Sequence, residues 1–197
     1  NLAVQAQAIG AKLIHLSTDD VFSHHARQPY NEFEIPTPST IYGKSKLAGE
    51  RFVQNLCTRH VIVRSSWVYG IGRDFVNTIL EAANNPSVTS MEVAENEFAS
   101  PTSATELAKV IEQLIDNDCL GIYHAVCGGF CSRFEFAQAI LKAIHAKDKL
   151  TLKPISDSET INYSVLDNMM LRLENFTQPI SWQQALKDYI RTTGGNN

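Results

Sequence analysis

Two short apolar runs bracket one long helical pattern, and that arrangement restricts the chain to few architectures. The first run, Lys12-Leu13-Ile14-His15-Leu16, ends abruptly in Ser17-Thr18-Asp19-Asp20. The second, His60-Val61-Ile62-Val63-Arg64, ends in Ser65-Ser66-Trp67. Short β-branched runs on either side of a helix predict a βαβ unit with two parallel strands. The helix between them opens at Tyr42-Gly43-Lys44-Ser45-Lys46-Leu47-Ala48-Gly49-Glu50, with Ser39 or Thr40 available as its cap. Ile41, Ala48, Phe52 and Leu56 keep helical spacing to about Leu56. In sheets of this kind the ligand crevice lies at the carboxyl ends of the strands. Thr18, Trp67 and the start of the helix are therefore expected to meet at one crevice.

The rest of the chain continues the alternation. Residues 2–10 read as a helix tail closed by Gly10. A helix starts near Asp74 with Phe75, Ile79 and Ala83 inward, and 88–93 reads as a strand. Ser103-Ala104-Thr105-Glu106 is a capping-box pattern opening an amphipathic helix with Leu107, Val110, Ile111, Leu114 and Ile115 on one face. A buried strand is expected over 122–126, and Ser132-Arg133-Phe134-Glu135 repeats the capping pattern for a helix through Ile144. A short strand over 150–154, an irregular stretch over 155–165 and a last helix from about Ser181-Trp182 complete an α/β chain.

Composition removes several function classes. With 197 residues, 44% of them hydrophobic and 19% charged, the chain can bury one substantial core. A net charge of −4 and the lack of a basic run argue against a nucleic-acid partner. No apolar stretch approaches the ~18 residues of a membrane span, and no signal-peptide pattern is present, so neither membrane nor export is expected. Cys57, Cys119, Cys127 and Cys131 are scattered, which suits free thiols in a reducing cytoplasm. Cys127 and Cys131 have no second pair to complete a metal site, so no metal is expected. His24-His25 reads as solvated.

Tyr42 and Lys46 lie four residues apart and so share one helix face. An ammonium held beside a phenol favours the phenolate and eases proton transfer to or from a carbonyl oxygen. A solvated surface pair is the plainer alternative. Trp67 is either a core aromatic or a flat platform for a sugar or base. Arg73, Lys44 and Arg133 are either solvent-facing or placed to meet a diphosphate. The loop over 19–40, punctuated by Pro29, Pro36 and Pro38, is long for a strand–helix connection; its Pro29-Tyr30-Asn31-Glu32 segment either lines the site or packs the loop.

Several segments, in order, carry a family resemblance: Ser17-Thr18-Asp19-x-Val21-Phe22, Pro29-Tyr30-x-Glu32, the Tyr42 to Glu50 stretch and Arg64-x-Ser66-Trp67-Val68-Tyr69-Gly70. Ser100-Pro101-Thr102, Gly121-Ile122-Tyr123-His124, Phe134-Glu135-Phe136-Ala137, Ser164-Val165-Leu166-Asp167 and Trp182-x-x-Ala185-Leu186 extend it almost to the end. The chain resembles the extended short-chain dehydrogenase/reductases, and among them the bacterial dTDP-4-dehydrorhamnose reductase family. The resemblance implies the C-terminal part of a Rossmann-like parallel sheet joined to a smaller α/β substrate-binding domain. On that reading residues 1–67 form the second half of the dinucleotide-binding domain. Residues 68–197 are mainly substrate-binding, with about 99–127 returning to the Rossmann sheet. No G-x-G-x-x-G turn occurs; at roughly 30 residues per βαβ unit, a glycine-rich half of about a hundred residues is expected before Asn1.

The implied activity is NADPH-dependent (or NADH-dependent) reduction of the 4-keto group of dTDP-4-dehydro-6-deoxy-L-mannose to dTDP-L-rhamnose. Tyr42, Lys46 and Thr18 are the implied catalytic residues. Tyr42, Lys46 and Ser17 would meet the cofactor, and Trp67, Thr18, Asp19 and Arg73 the nucleotide sugar. Another nucleotide-sugar epimerase or reductase, or a non-catalytic subunit similar to the regulatory β subunit of methionine adenosyltransferase, are the alternatives. A homodimer stays open as an assembly. The chain departs from the family pattern at Asp20 (usually Tyr), Asp74 (usually Asn), Asn96-Glu97 (usually Asp-Gln) and Thr160-Ile161 (usually Arg-Pro).

Overall fold

The computed structural model describes residues 1–146, 148–156 and 161–194. Helix α1 (Leu2–Ala8) ends in a left-handed turn at Gly10 (φ 68°), whose N–H and that of Ala11 return to the carbonyls of Gln7 and Ala6. Strand β1 (Leu13–Thr18) runs into a single 3₁₀ turn (Asp19–Val21), and a loop leads to α2 (Ile41–Leu56). Then follow β2 (His60–Ser65), β3 (Val68–Tyr69), α3 (Phe75–Asn84), β4 (Ser90–Ala94), β5 (Glu97–Ala99), β6 (Thr102–Ser103) and α4 (Ala104–Asp116). The chain continues with β7 (Gly121–His124), β8 (Cys131–Ser132), α5 (Arg133–Ala143), β9 (Thr151–Ile155), β10 (Asn162–Tyr163), α6 (Met169–Leu173) and α7 (Trp182–Gly194).

β1, β2 and β7 form a parallel sheet in that order, with Leu13 opposite His60, Thr18 opposite Ser65 and Val61 opposite Gly121. The middle strand is closed in on both faces: Val61, Ile62 and Val63 are fully buried, as an apolar run without alternation requires. Val61, Val63, Val110, Leu114, Tyr123 and Leu171 pack one core on this sheet. A larger core gathers Ile79, Phe136, Ile140 and Leu186 from α3, α5 and α7. Three smaller sheets, β10-β5-β8, β3-β6 and β4-β9, frame it.

Thr40 caps α2, its hydroxyl accepting from the Gly43 N–H at 2.9 Å. The expected apolar positions of α2 turn out to face away from the core. Ile41, Phe52 and Leu56 are exposed, as is Ala48, whereas Gly43, Leu47, Glu50 and Val53 are buried. The inward stripe includes a glycine and a carboxylate because Gly43 abuts the β1 turn and Glu50 is paired with an arginine. At α4 the capping box is half formed. Ser103 accepts from the Glu106 N–H at 3.2 Å, but the Glu106 carboxylate is engaged by Lys109 and by the Ile180 N–H. At α5 both halves of the box are present. Within the stretch read as irregular, Asn162–Tyr163 pairs in parallel with β5.

Candidate active site

The strand–helix contact sets the site. On α2, the Lys46 ammonium donates to the Leu16 carbonyl of β1 at 2.6 Å. Three residues earlier, Gly43 sits against the Asp20 carbonyl so closely that a methyl group there would lie 1.9 Å from the oxygen. From Lys46 to Gly43 the helix thus runs toward the carboxyl end of β1. Tyr42, in the first turn and 55% exposed, stands one helical turn from Lys46 beside the Thr18–Asp20 corner.

That corner is built around Asp19. Its carboxyl is buried, and three hydroxyls converge on it: Thr18 at 3.1 Å on Oδ1, Ser66 at 2.9 Å and Ser164 at 2.6 Å on Oδ2. Burial pushes Asp19 above the usual carboxylate range, opposed by the Ser164 and Ser66 hydrogen bonds and reinforced by neighbouring Asp20. Thr18 Oγ1 also accepts from the Asp20 N–H at 3.3 Å.

Asp19 forms part of the wall of a cavity of about 250 Å³ that includes Asp20, His24, Trp67, Glu97, Arg133 and Ser164. His24 Nε2 lies 3.1 Å from the Asp20 carboxylate. His24 and Trp67 both hold left-handed backbone angles, φ 64° and 41°. The other non-glycine residues of this kind, Asp118, His145 and Asn175, follow helix ends and return their N–H groups to the preceding turn. His24 and Trp67 close no helix, and backbone strain of this kind gathers at functional sites. The Trp67 ring stacks toward Phe136 on the core side, and the Arg133 guanidinium lies over it at 3.6 Å. Arg133 also faces Glu97 at 3.5 Å.

Of the residues picked out in the sequence, Thr18, Asp19 and Trp67 come together at this corner. Tyr42, Lys46 and half-buried Ser17 flank it along α2 and β1 without lining the cavity. Arg73 is exposed in the loop before α3 and stands apart from the cavity. Lys44 is exposed on α2, and Thr160 lies outside the described residues. Trp67 is both core aromatic and cavity wall, with a cation already on its ring. Ser66, Ser164 and Glu97 were given no site role in the sequence, although Ser66 and Ser164 sit in the quoted motifs; Arg133, read there as solvent-facing or placed to meet a diphosphate, lines the cavity beside Glu97. Asp74, where Asn is usual, caps α3 by accepting from the Asn77 N–H at 2.9 Å. A larger groove of about 1200 Å³ beside Tyr69, Ile111 and Tyr189 contains none of the site residues. Among the described residues no cluster of three or more His, Cys, Asp or Glu side chains is arranged to hold a metal ion.

The family model described as RmlD substrate binding domain matches residues 1–194. The chain is 35% identical over 196 residues to the spore coat polysaccharide biosynthesis protein SpsK of Bacillus subtilis, covering 96% of this chain and 67% of that protein. It is 32% identical over 202 residues to the dTDP-4-dehydrorhamnose reductase of Escherichia coli, covering 94% and 67%. A crystal structure of the dTDP-4-dehydrorhamnose reductase of Bacillus anthracis in complex with NADP superposes with a TM-score of 0.91 at 36% identity, covering 97% of this chain and 69% of that one. The chain thus spans about two thirds of the length of these relatives.

Proposed function

The chain belongs to the RmlD substrate-binding domain family, together with the dTDP-4-dehydrorhamnose reductases, and from that premise we propose that it carries the proton-transfer and sugar-binding part of an NAD(P)H-dependent nucleotide-sugar reductase. The finer reading is reduction of the 4-keto group of a dTDP-4-dehydro-6-deoxy sugar to dTDP-L-rhamnose with NADPH. The observation that supports it is the contact of α2 with β1, in which Lys46 is anchored on the Leu16 carbonyl and Gly43, the neighbour of Tyr42, abuts the Asp20 carbonyl.

The residues present fit the nicotinamide end of such a cofactor. Ser17 Oγ is buried and has no hydrogen-bond partner among the described residues, next to the Leu16 carbonyl that anchors Lys46. A buried hydroxyl left without a partner suits a ligand that supplies one. The chemistry a bound reduced nicotinamide would supply there is the hydride for the ketone carbon. Negative charge then develops on the carbonyl oxygen, which this chain has to meet. Tyr42 donates the proton to that oxygen, and Thr18 steadies it with a hydroxyl hydrogen bond. Lys46, held by the Leu16 carbonyl, places an ammonium on the phenol's face of the helix and toward the cofactor ribose. Arg133 and the Trp67 ring offer a cation and an apolar surface to the sugar nucleotide across the cavity.

The test is oxidation of NADPH by the protein carrying this sequence, with dTDP- and UDP-linked 4-keto-6-deoxy sugars in parallel. Turnover of the dTDP sugar with formation of dTDP-L-rhamnose is expected. Preference for the UDP sugar would move the assignment to another nucleotide-sugar reductase, and NADPH binding without turnover of either would contradict the enzyme reading.

A further inference from the structure

We propose that Asp19 works as a neutral carboxylic acid that donates from Oδ1 to Thr18 Oγ1, so that the single hydroxyl proton of Thr18 is left free for the substrate oxygen. This deepens the reductase reading and rests on it for the identity of that oxygen. The two Asp19 oxygens are not used alike. Oδ2 accepts from both Ser164 and Ser66, at 2.6 and 2.9 Å, while among the described residues Oδ1 faces only Thr18, at 3.1 Å. A protonated carboxyl has this asymmetry: one acceptor-only oxygen and one oxygen that donates.

Counting protons on Thr18 leads to the same assignment. A threonine hydroxyl has one proton and two acceptor positions. One acceptor position already receives the Asp20 N–H. If Asp19 were ionised, Thr18 would have to give its only proton to Oδ1 and would keep none for a ligand. With the proton on Asp19, Thr18 accepts from Asp19 and Asp20 and donates outward.

The surroundings agree. The charged groups that face Asp19 are Asp20 and His24 from the turn after β1, Glu97 from β5 and Arg133 from α5. His24 is paired with Asp20 and Arg133 with Glu97, and among the described residues Asp19 makes no ion pair. Its burial raises its proton affinity, the direction the geometry requires. No proton is consumed at Asp19: it holds its own through the reaction, the Thr18 bond tightens as charge builds on the substrate oxygen, and the delivered proton comes from Tyr42. Asp19 is thus a positioning residue that acts through Thr18.

Two readouts test this in the protein carrying this sequence. In 13C-carboxyl-labelled aspartate spectra, the Asp19 signal, identified by its loss in Asp19→Asn, should titrate above the other aspartates of the chain. In Asp19→Asn the amide oxygen can take the place of Oδ2 and the amide N–H the place of Oδ1. That variant should therefore keep kcat at least about tenfold above Asp19→Ala, in line with the 10²–10³-fold loss typical of a missing transition-state donor. It should also lack the alkaline decline in kcat that ionisation of Asp19 imposes on the parent. An Asp19 signal titrating with the other aspartates, or Asn and Ala variants equally impaired with the parent's pH profile retained, would overturn the proposal. A parent protein with no turnover would overturn the reductase reading instead, and the carboxyl titration alone would then decide the state of Asp19.

Discussion

His124 is fully buried on β7, with Nδ1 3.1 Å from the carbonyl oxygens of both Tyr30 and Asp167, an arrangement that requires a proton on Nδ1. Burial, with the Arg64 guanidinium nearby, pushes its pKa down to about 3. A pKa lowered by folding gives stability that is complete above the unfolded value of about 6.5 and is lost as pH falls from there toward 3. Glu32, raised by burial and accepting from the His124 N–H, acts in the opposite sense: protonation relieves its burial as the pH drops. The contribution of His124 is therefore read as a difference. Urea unfolding of His124→Asn should show less loss of stability between about pH 7 and 4 than the parent, at a cost of about 1–3 kcal/mol at neutral pH for the disturbed buried polar group. Parallel pH profiles would show that another group carries the acid sensitivity.

At the scale of elements, α2 is fixed on the sheet by two contacts beyond its Lys46 anchor. The Arg64 guanidinium of β2 grips the Glu50 carboxylate from two nitrogens, at 3.0 and 2.7 Å, with both side chains almost wholly buried. Arg64→Leu alone should destabilise the protein by about 3–5 kcal/mol, because it strands a buried carboxylate, and adding Glu50→Leu should recover most of that loss in chemical denaturation. Gly43 is the other contact. An added methyl would collide with the Asp20 carbonyl, so Gly43→Ala must push the first turn of α2 off the corner, costing at least ~1–3 kcal/mol as overpacking. Activity should fall further than stability does, since Tyr42 moves with that turn. These contacts mark the limit of what sequence reading reached. Helix α2 and strands β1 and β2 were legible because their signals are local, in apolar runs and helical spacing. The inward face of α2 was misjudged because burial of Glu50 depends on an arginine 14 residues away, and a glycine gives no hydrophobic signal.

Across the whole molecule, the cavity draws on distant parts of the chain: Asp19, Asp20 and His24 after β1, Trp67 after β2, Glu97 and Phe98 on β5, Arg133 on α5, and Asn162 and Ser164 at and after β10. Two of the three hydroxyls on Asp19 come from 47 and 145 residues away, a convergence that no periodicity encodes. Those holders were accordingly out of reach of the sequence, while the motifs containing them were readable as family likeness. The parallel sheet supplies the corner, the smaller sheets bring Ser164 and the Glu97–Arg133 pair to it, and α2 lays the phenol and ammonium alongside. The central claim is that Tyr42 delivers the proton at this corner. The most direct test is single-turnover oxidation of NADPH with the dTDP-4-keto-6-deoxy sugar, comparing the parent with Tyr42→Phe. Removal of the hydroxyl alone should slow the chemical step by about 10²–10⁴-fold with the melting temperature and sugar affinity little changed. A Tyr42→Phe rate within a few-fold of the parent would contradict the account and send the search for the proton donor to the cavity.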